Sequence, residues 1–157
     1  MPRQRIDKEN YYLDIAATVS ERSTCLRRRY GAIIVKNDVI VSTGYNGAPR
    51  GRLNCIDKAE CLRDQMNIPS GERYELCRSV HAEANAIISA SRENMLGATL
   101  YLVGYDRQGE LIAAESCTMC RRLIINAGIH RVIGRAGAAT PDKYTVTRVK
   151  DWVAEEN

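Results

Sequence analysis

Two short stretches of this chain, His81-Ala82-Glu83 and Cys117-Thr118-Met119-Cys120, hold the residue types that can do chemistry together. A Cys-x-x-Cys at the start of a helix sets two sulfurs one turn apart on one face, able to grip a single ion. The helix N-terminus carries partial positive charge, which favours the thiolate form. His81, also placed at a helix start, supplies a third ligand. Three protein ligands leave one tetrahedral position for water, the arrangement of a catalytic zinc, and the ion lowers the pKa of that water toward about 7. Glu83 stands two residues beyond His81, too near to ligate the same ion with ease, yet able to hydrogen-bond the water. It is therefore the natural proton carrier. A lone Cys-x-x-Cys, His or His-x-Glu means little, but their order and spacing here outweigh chance.

Six cysteines are many for 157 residues. With no apolar leader in Met1 to Asn10 and no apolar run near the roughly 18 residues of a membrane span, the expected setting is the cytoplasm, without a membrane. There disulfides are disfavoured and metal ligation gains weight. Cys25, Cys55, Cys61 and Cys77 lie outside the first pair of motifs. They read either as a second, structural zinc site of four thiolates or as four unrelated buried thiols, since none of their spacings is a Cys-x-x-Cys. The physical motive for the zinc is that the long irregular stretch at about 52–78, an insert in the element pattern, needs a tether. The net charge of +4 is modest and its basic residues are scattered. Such a balance suits a small anionic substrate at least as well as a polynucleotide.

The elements around these motifs follow from periodicity. Apolar residues at 45% and charged residues at 27% are those of a globular chain, and a single domain over 1–157 is expected. A first helix is predicted for Lys8 to Arg22, where Tyr12, Ile15, Ala16 and Val19 recur at helical spacing. A hairpin is predicted from Gly31 to Val35 and Val39 to Thr43, turning at Lys36-Asn37-Asp38. The breaker-rich Gly44 to Gly51 is a loop. Next come a helix over Ser79 to Ser91, a buried strand over Ala98 to Gly104, and a helix from about Cys117 that stops at Gly128. His130 to Gly134 and Tyr144 to Val149 read as strands, and Asp151 to Glu155 as a terminal turn, with Trp152 a packing anchor. Helices alternating with strands after a hairpin predict an α/β fold with one mixed sheet covered on both faces.

On Tyr30-Gly31-Ala32, Gly44-Tyr45-Asn46-Gly47, His81-Ala82-Glu83-Ala84-Asn85-Ala86 and Cys117-x-x-Cys120, the chain resembles the deoxycytidylate deaminase family of the cytidine-deaminase-like superfamily. The resemblance runs from about Ala16 to Gly134. It implies a three-layer α/β/α sandwich and hydrolysis of dCMP to dUMP and ammonia, with zinc-bound hydroxide attacking C4. By that likeness His81, Cys117 and Cys120 hold the Zn2+ ion and Glu83 is the general acid/base. Asn46 reads base or sugar, the Ala82 backbone N–H meets the base carbonyl, and Arg92, on the His81 helix, serves a phosphate or an effector. Some members carry an additional zinc on similarly placed cysteines. The likeness also implies a homo-oligomer, a dimer or hexamer, with dCTP and dTTP as candidate effectors that no residue here is assigned to bind. One departure is Ser116, where the family usually has proline; its hydroxyl is expected to cap the following helix.

Two other readings compete. Transfer-RNA adenosine deaminases share the zinc signature, but the cysteine-bearing insert and the Gly44-Tyr45-Asn46-Gly47 loop favour a nucleotide enzyme, as they do against guanine or riboflavin-pathway deaminases. A zinc-stabilised nucleic-acid-binding module explains the cysteines and the charge. It gives no reason for Glu83.

Overall fold

The structure, a computed structural model, describes residues 1–155. Residues 156 and 157, the end of the expected domain span, lie outside the described residues. Helix α1 (Lys8–Ser20) opens at Asp7, whose carboxylate accepts from the Asn10 N–H at 3.1 Å. It leads into β1 (Arg29–Lys36) and β2 (Val39–Tyr45), an antiparallel hairpin. Asn37 and Asp38 both take positive φ, as a two-residue hairpin turn requires. The expected turn is therefore there, and the loop begins at Asn46 because β2 runs two residues further than predicted.

Residues 52–78 contain no strand. They carry α2 (Cys55–Lys58), α3 (Leu62–Gln65) and a single 3-10 turn at Tyr74–Leu76. Beyond them come α4 (Ala82–Ile88), α5 (Arg92–Met95), β3 (Thr99–Tyr105) and the short β4 (Leu111–Ile112). The chain closes with α6 (Thr118–Ala127), β5 (Arg131–Arg135), β6 (Tyr144–Arg148) and α7 (Val149–Ala154). The helix expected over Ser79 to Ser91 is shorter, Ala82–Ile88, and Ser91, whose Oγ accepts from the Asn94 N–H at 3.2 Å, caps a separate helix after it. The terminal turn expected at Asp151 is a helix instead. It begins at Val149, and Trp152 packs on the core under the Arg121 guanidinium at 5.1 Å.

The strand order is β2-β1-β3-β5-β6, with β4 on the outer end of β3. Among the described residues only β3 and β5 pair in parallel, through the α6 crossover; the other pairs are antiparallel, so the sheet is mixed as expected. Alternation along the strands sorts the core into two faces. Ile33, Val35, Tyr101, Val103 and Ile133 meet α1 through Tyr12, Leu13 and Ala16. Ala32, Ile34, Leu100, Leu102 and Val132 meet α4 to α7 through Ala82, Ala86, Met95, Ile124 and Val149. Each large apolar side chain so buried contributes about 1.5–3 kcal/mol. The result is the three-layer α/β/α sandwich that the resemblance implies.

Two glycines let the helices touch the sheet directly. A Cβ on Gly31 would lie 2.0 Å from the Ala16 carbonyl oxygen, and one on Gly44 would lie 2.4 Å from both the Ala82 oxygen and the Ala86 nitrogen. The backbone of α4 therefore lies directly on β2, pinned further by Ser42 Oγ, which donates to the Ala86 carbonyl. Gly44→Ala is expected to destabilise the fold by about 1–3 kcal/mol and to lower activity by pushing α4 outward. Denaturant unfolding beside an activity assay checks this; an unchanged midpoint with full activity would show that the contact yields freely.

Candidate metal centre and active site

Both halves of the chemical motif sit at helix starts. His81 is the N-cap of α4 (φ −67°, ψ 153°) and its ring takes no part in capping, so it stays free to face a neighbour. Cys117 is the N-cap of α6, where its Sγ accepts from the Cys120 N–H at 3.4 Å. Cys117 rather than Ser116 therefore does the capping. Ser116 falls one residue short of the cap position, and its buried hydroxyl has no hydrogen-bond partner.

Helices α4 and α6 lie on the same face of the sheet, which carries their first turns together. His81 Nδ1 lies 3.5 Å from Cys117 Sγ and 3.4 Å from Cys120 Sγ. Among the described residues, only His81, Cys117 and Cys120 bring three ligand atoms within 4.8 Å of one another. The hydrogen bond from the Cys120 thiol, with help from His81, holds the Cys117 thiol down to about 4, while Cys120 keeps its proton far above the usual thiol range. Hydrogen bonding to Cys117 raises the His81 imidazole. The cluster thus competes with itself for protons. Two thiols and an imidazole in this disposition form a donor set suited to a tetrahedral zinc ion, with at least one thiolate already favoured.

Tyr74, from the 52–78 stretch, packs edge-on against the His81 ring with centroids 4.7 Å apart. Arg63 stacks over Tyr74 at 4.7 Å. The irregular stretch thereby steadies the His81 ring from outside. Neither aromatic nor arginine was singled out from sequence, and no periodic pattern marks them.

Glu83 is buried on the first turn of α4, and burial pushes its carboxyl above the ordinary range against the pull of its own backbone N–H and of His81. A buried carboxyl with raised proton affinity can take up a proton and give it back. Glu83 opens on a cavity that His81, Cys117, Ala82 and Asn46 also line. Ala82 is the first residue of α4, so its N–H has no acceptor within the helix. Asn46 is largely occupied: Oδ1 accepts from the Tyr30 N–H at 2.8 Å and from Ser23 Oγ, and Nδ2 donates to the Arg28 carbonyl at 2.9 Å. It clasps residues 23–30 to the end of β2 and has one N–H left for a ligand.

Arg92 does not lie on the His81 helix. It starts α5, and its Nε donates to the Asn126 carbonyl at 3.3 Å, away from the cavity-lining residues. Cys25, Cys55, Cys61 and Cys77 line a second cavity, with Cys25 and Cys77 also reaching the first, and no three of their sulfurs lie within 4.8 Å of one another. Burial and the neighbouring thiols raise the Cys55 thiol.

The family model for the cytidine and deoxycytidylate deaminase zinc-binding region matches residues 6–135. The deoxycytidylate deaminase of Mycobacterium phage D29 is 38% identical over 134 residues, covering 82% of this chain and 94% of that protein. The deoxycytidylate deaminase of Saccharomyces cerevisiae is 32% identical over 84% of this chain, which spans 38% of that longer protein. The crystal structure of the cyanophage S-TIM5 dCMP deaminase in complex with dCMP and dUMP superposes with a TM-score of 0.57 at 26% identity, over 85% of each chain. Among the described residues no helix is long and apolar enough to cross a membrane.

Proposed function

This chain belongs to the cytidine and deoxycytidylate deaminase family, and from that premise we propose that it hydrolyses dCMP to dUMP and ammonia. The observation that carries the reading is the shared cavity. A buried Glu83 opens on the same cavity as His81 and Cys117, two of the three residues of the donor set.

His81, Cys117 and Cys120 would hold the zinc. The ion, when bound, supplies Lewis acidity that brings water within reach of deprotonation near neutral pH. The rest falls to this chain's own groups. Glu83 takes one proton from the attacking water and delivers it to N3 of the base, then takes the remaining hydroxyl proton at C4 and passes it to the departing amine, so that dCMP and water become dUMP and ammonia. The free N–H of Ala82 holds the base carbonyl, and the remaining Nδ2–H of Asn46 is available to base or sugar. The apolar packing beneath α4 keeps bulk water away from the carboxyl. Release of ammonia on adding dCMP tests the reading directly; turnover of a transfer RNA with none of dCMP would overturn it.

Two further readings belong to the same proposal. Cys25, Cys55, Cys61 and Cys77 hold a second, structural zinc, supported by their convergence on one cavity beside the strandless 52–78 stretch. Metal analysis of purified protein is then expected to find two zinc ions per chain, and Cys55→Ser one; a single ion in the unaltered protein would end the idea. The chain also works as a homo-oligomer, a dimer or a hexamer. Exposed Met119 and Leu123, one turn apart on α6, offer an apolar face for it. Light scattering should report a mass above 17.6 kDa; a monomer at micromolar concentration would refute this.

A further inference from the structure

The stretch that delivers Cys117 to the donor set, residues 113–117, has no regular structure. Near its start the Ala114 N–H donates to the Arg135 carbonyl on β5 at 3.0 Å. Ser116 follows and is buried. Its hydroxyl has no partner, and its N–H donates to none of the described residues. Only its carbonyl is held, accepting from Arg121 Nε at 3.1 Å. The Arg121 backbone N–H donates to the next carbonyl, that of Cys117, at 2.9 Å. One residue, a turn into α6, thus grips the two carbonyls that flank the Cys117 Cα.

Arg121 is braced in turn. Its guanidinium lies over the indole of Trp152, on α7, at 5.1 Å. Trp152 packs on the buried cluster that holds Ala82, Ile124 and Val149. The Val149 N–H donates to the His130 carbonyl at 3.0 Å, which fixes the start of α7. A long side chain ordinarily loses much conformational freedom when it holds a single acceptor. Stacking a planar guanidinium on a fixed ring removes that freedom beforehand, and its permanent charge strengthens the bond it gives. Neither Arg121 nor Trp152 lines the cavity. What their acceptor leads to is Cys117, whose Sγ stands 3.5 Å from His81 Nδ1.

Resting on the zinc reading of His81, Cys117 and Cys120, we propose that Arg121 and Trp152 are positioning residues of the metal centre. The guanidinium holds residue 116, residue 116 sets the placement of Cys117, and α7 is the outer brace of a site it never touches. The same hold can be supplied covalently. Proline at position 116 locks φ at about −65° and gives up an N–H that donates to nothing.

The test follows zinc release to a chelator, in the phase that Cys120→Ser lacks, together with kcat and KM for dCMP. Arg121→Ala is expected to release zinc about 10-fold faster and to lose about 10-fold in kcat, with KM within about twofold. In a Ser116→Pro background the same substitution should change release and kcat by less than about threefold, since the turn no longer depends on the arginine. Trp152→Leu should speed release about 3-fold, and Trp152→Phe, which keeps a ring beneath the guanidinium, should restore the unaltered rate. A role confined to stability would lower the unfolding midpoint of the metal-free protein and leave release as it was, which overturns the brace. So does an equal acceleration of release by Arg121→Ala in both backgrounds. Should Arg121→Ala or the double variant fail to fold, a Trp152→Leu protein that keeps its zinc as firmly as Trp152→Phe overturns the brace as well. Unaltered protein that binds no zinc removes the metal reading itself; zinc-bound protein indifferent to Arg121 removes only the brace.

Discussion

Glu83→Gln is expected to slow deamination of dCMP by about 10²–10⁴-fold, the usual worth of a positioned acid–base group, while zinc content stays as it was. The substitution preserves volume and keeps a polar group at the start of α4, so the cavity retains its shape. What it removes is, among the described residues, the only carboxyl that is both buried and on the cavity wall, since Glu115, which also lines it, is exposed. The prediction separates two roles. A positioning role would let glutamine substitute with modest loss, because its amide still donates and accepts. A proton-carrying role would not. Steady-state rates beside metal analysis decide it: turnover within about tenfold of the unaltered enzyme would take proton transfer away from Glu83.

The second large effect is expected at the donor set. Cys120→Ser replaces a fully buried sulfur with a hydroxyl that is smaller and far less prone to give up its proton. Its neighbour Cys117 then loses the thiol that holds its own proton affinity down. Loss of a ligand should cost more metal affinity than the about 10–100-fold that follows loss of an outer partner, and turnover should fall in step with zinc content. His81→Ala is expected to behave alike. Cys55→Ser, which touches only the second cavity, should leave the first ion in place. A Cys120→Ser enzyme with full zinc and full rate would show that these three side chains do not form the centre.

Local pattern carried much of this architecture. The hairpin, α6 with its Gly128 stop, and β3 and β5 all come from short-range periodicity and turn chemistry, which act within a few residues. What escaped was set by contacts distant in sequence. The break between α4 and α5 turns on Ser91, one capping residue in an otherwise helical run, and moving Arg92 into its own helix removed it from the place expected of it. The clustered trio of His81, Cys117 and Cys120 was legible because two motifs happen to be compact. Tyr74 and Arg63 were not, since they reach the cavity from a stretch with neither helical nor strand period. Trp152 is legible as a packing anchor, but its place under Arg121 exists only in the folded chain.

The missing side chain at Gly44 has a consequence for how this molecule fails. Since α4 rests on β2 through main-chain atoms, with nothing compressible between them, the helix has no cushion on which to slide or lift. His81 and Glu83 ride on its first turn. Heat or denaturant should therefore not disarm the chemistry in a separate early event, as happens where reactive groups sit on pliant loops. Catalytic power and the sandwich should vanish in one cooperative step.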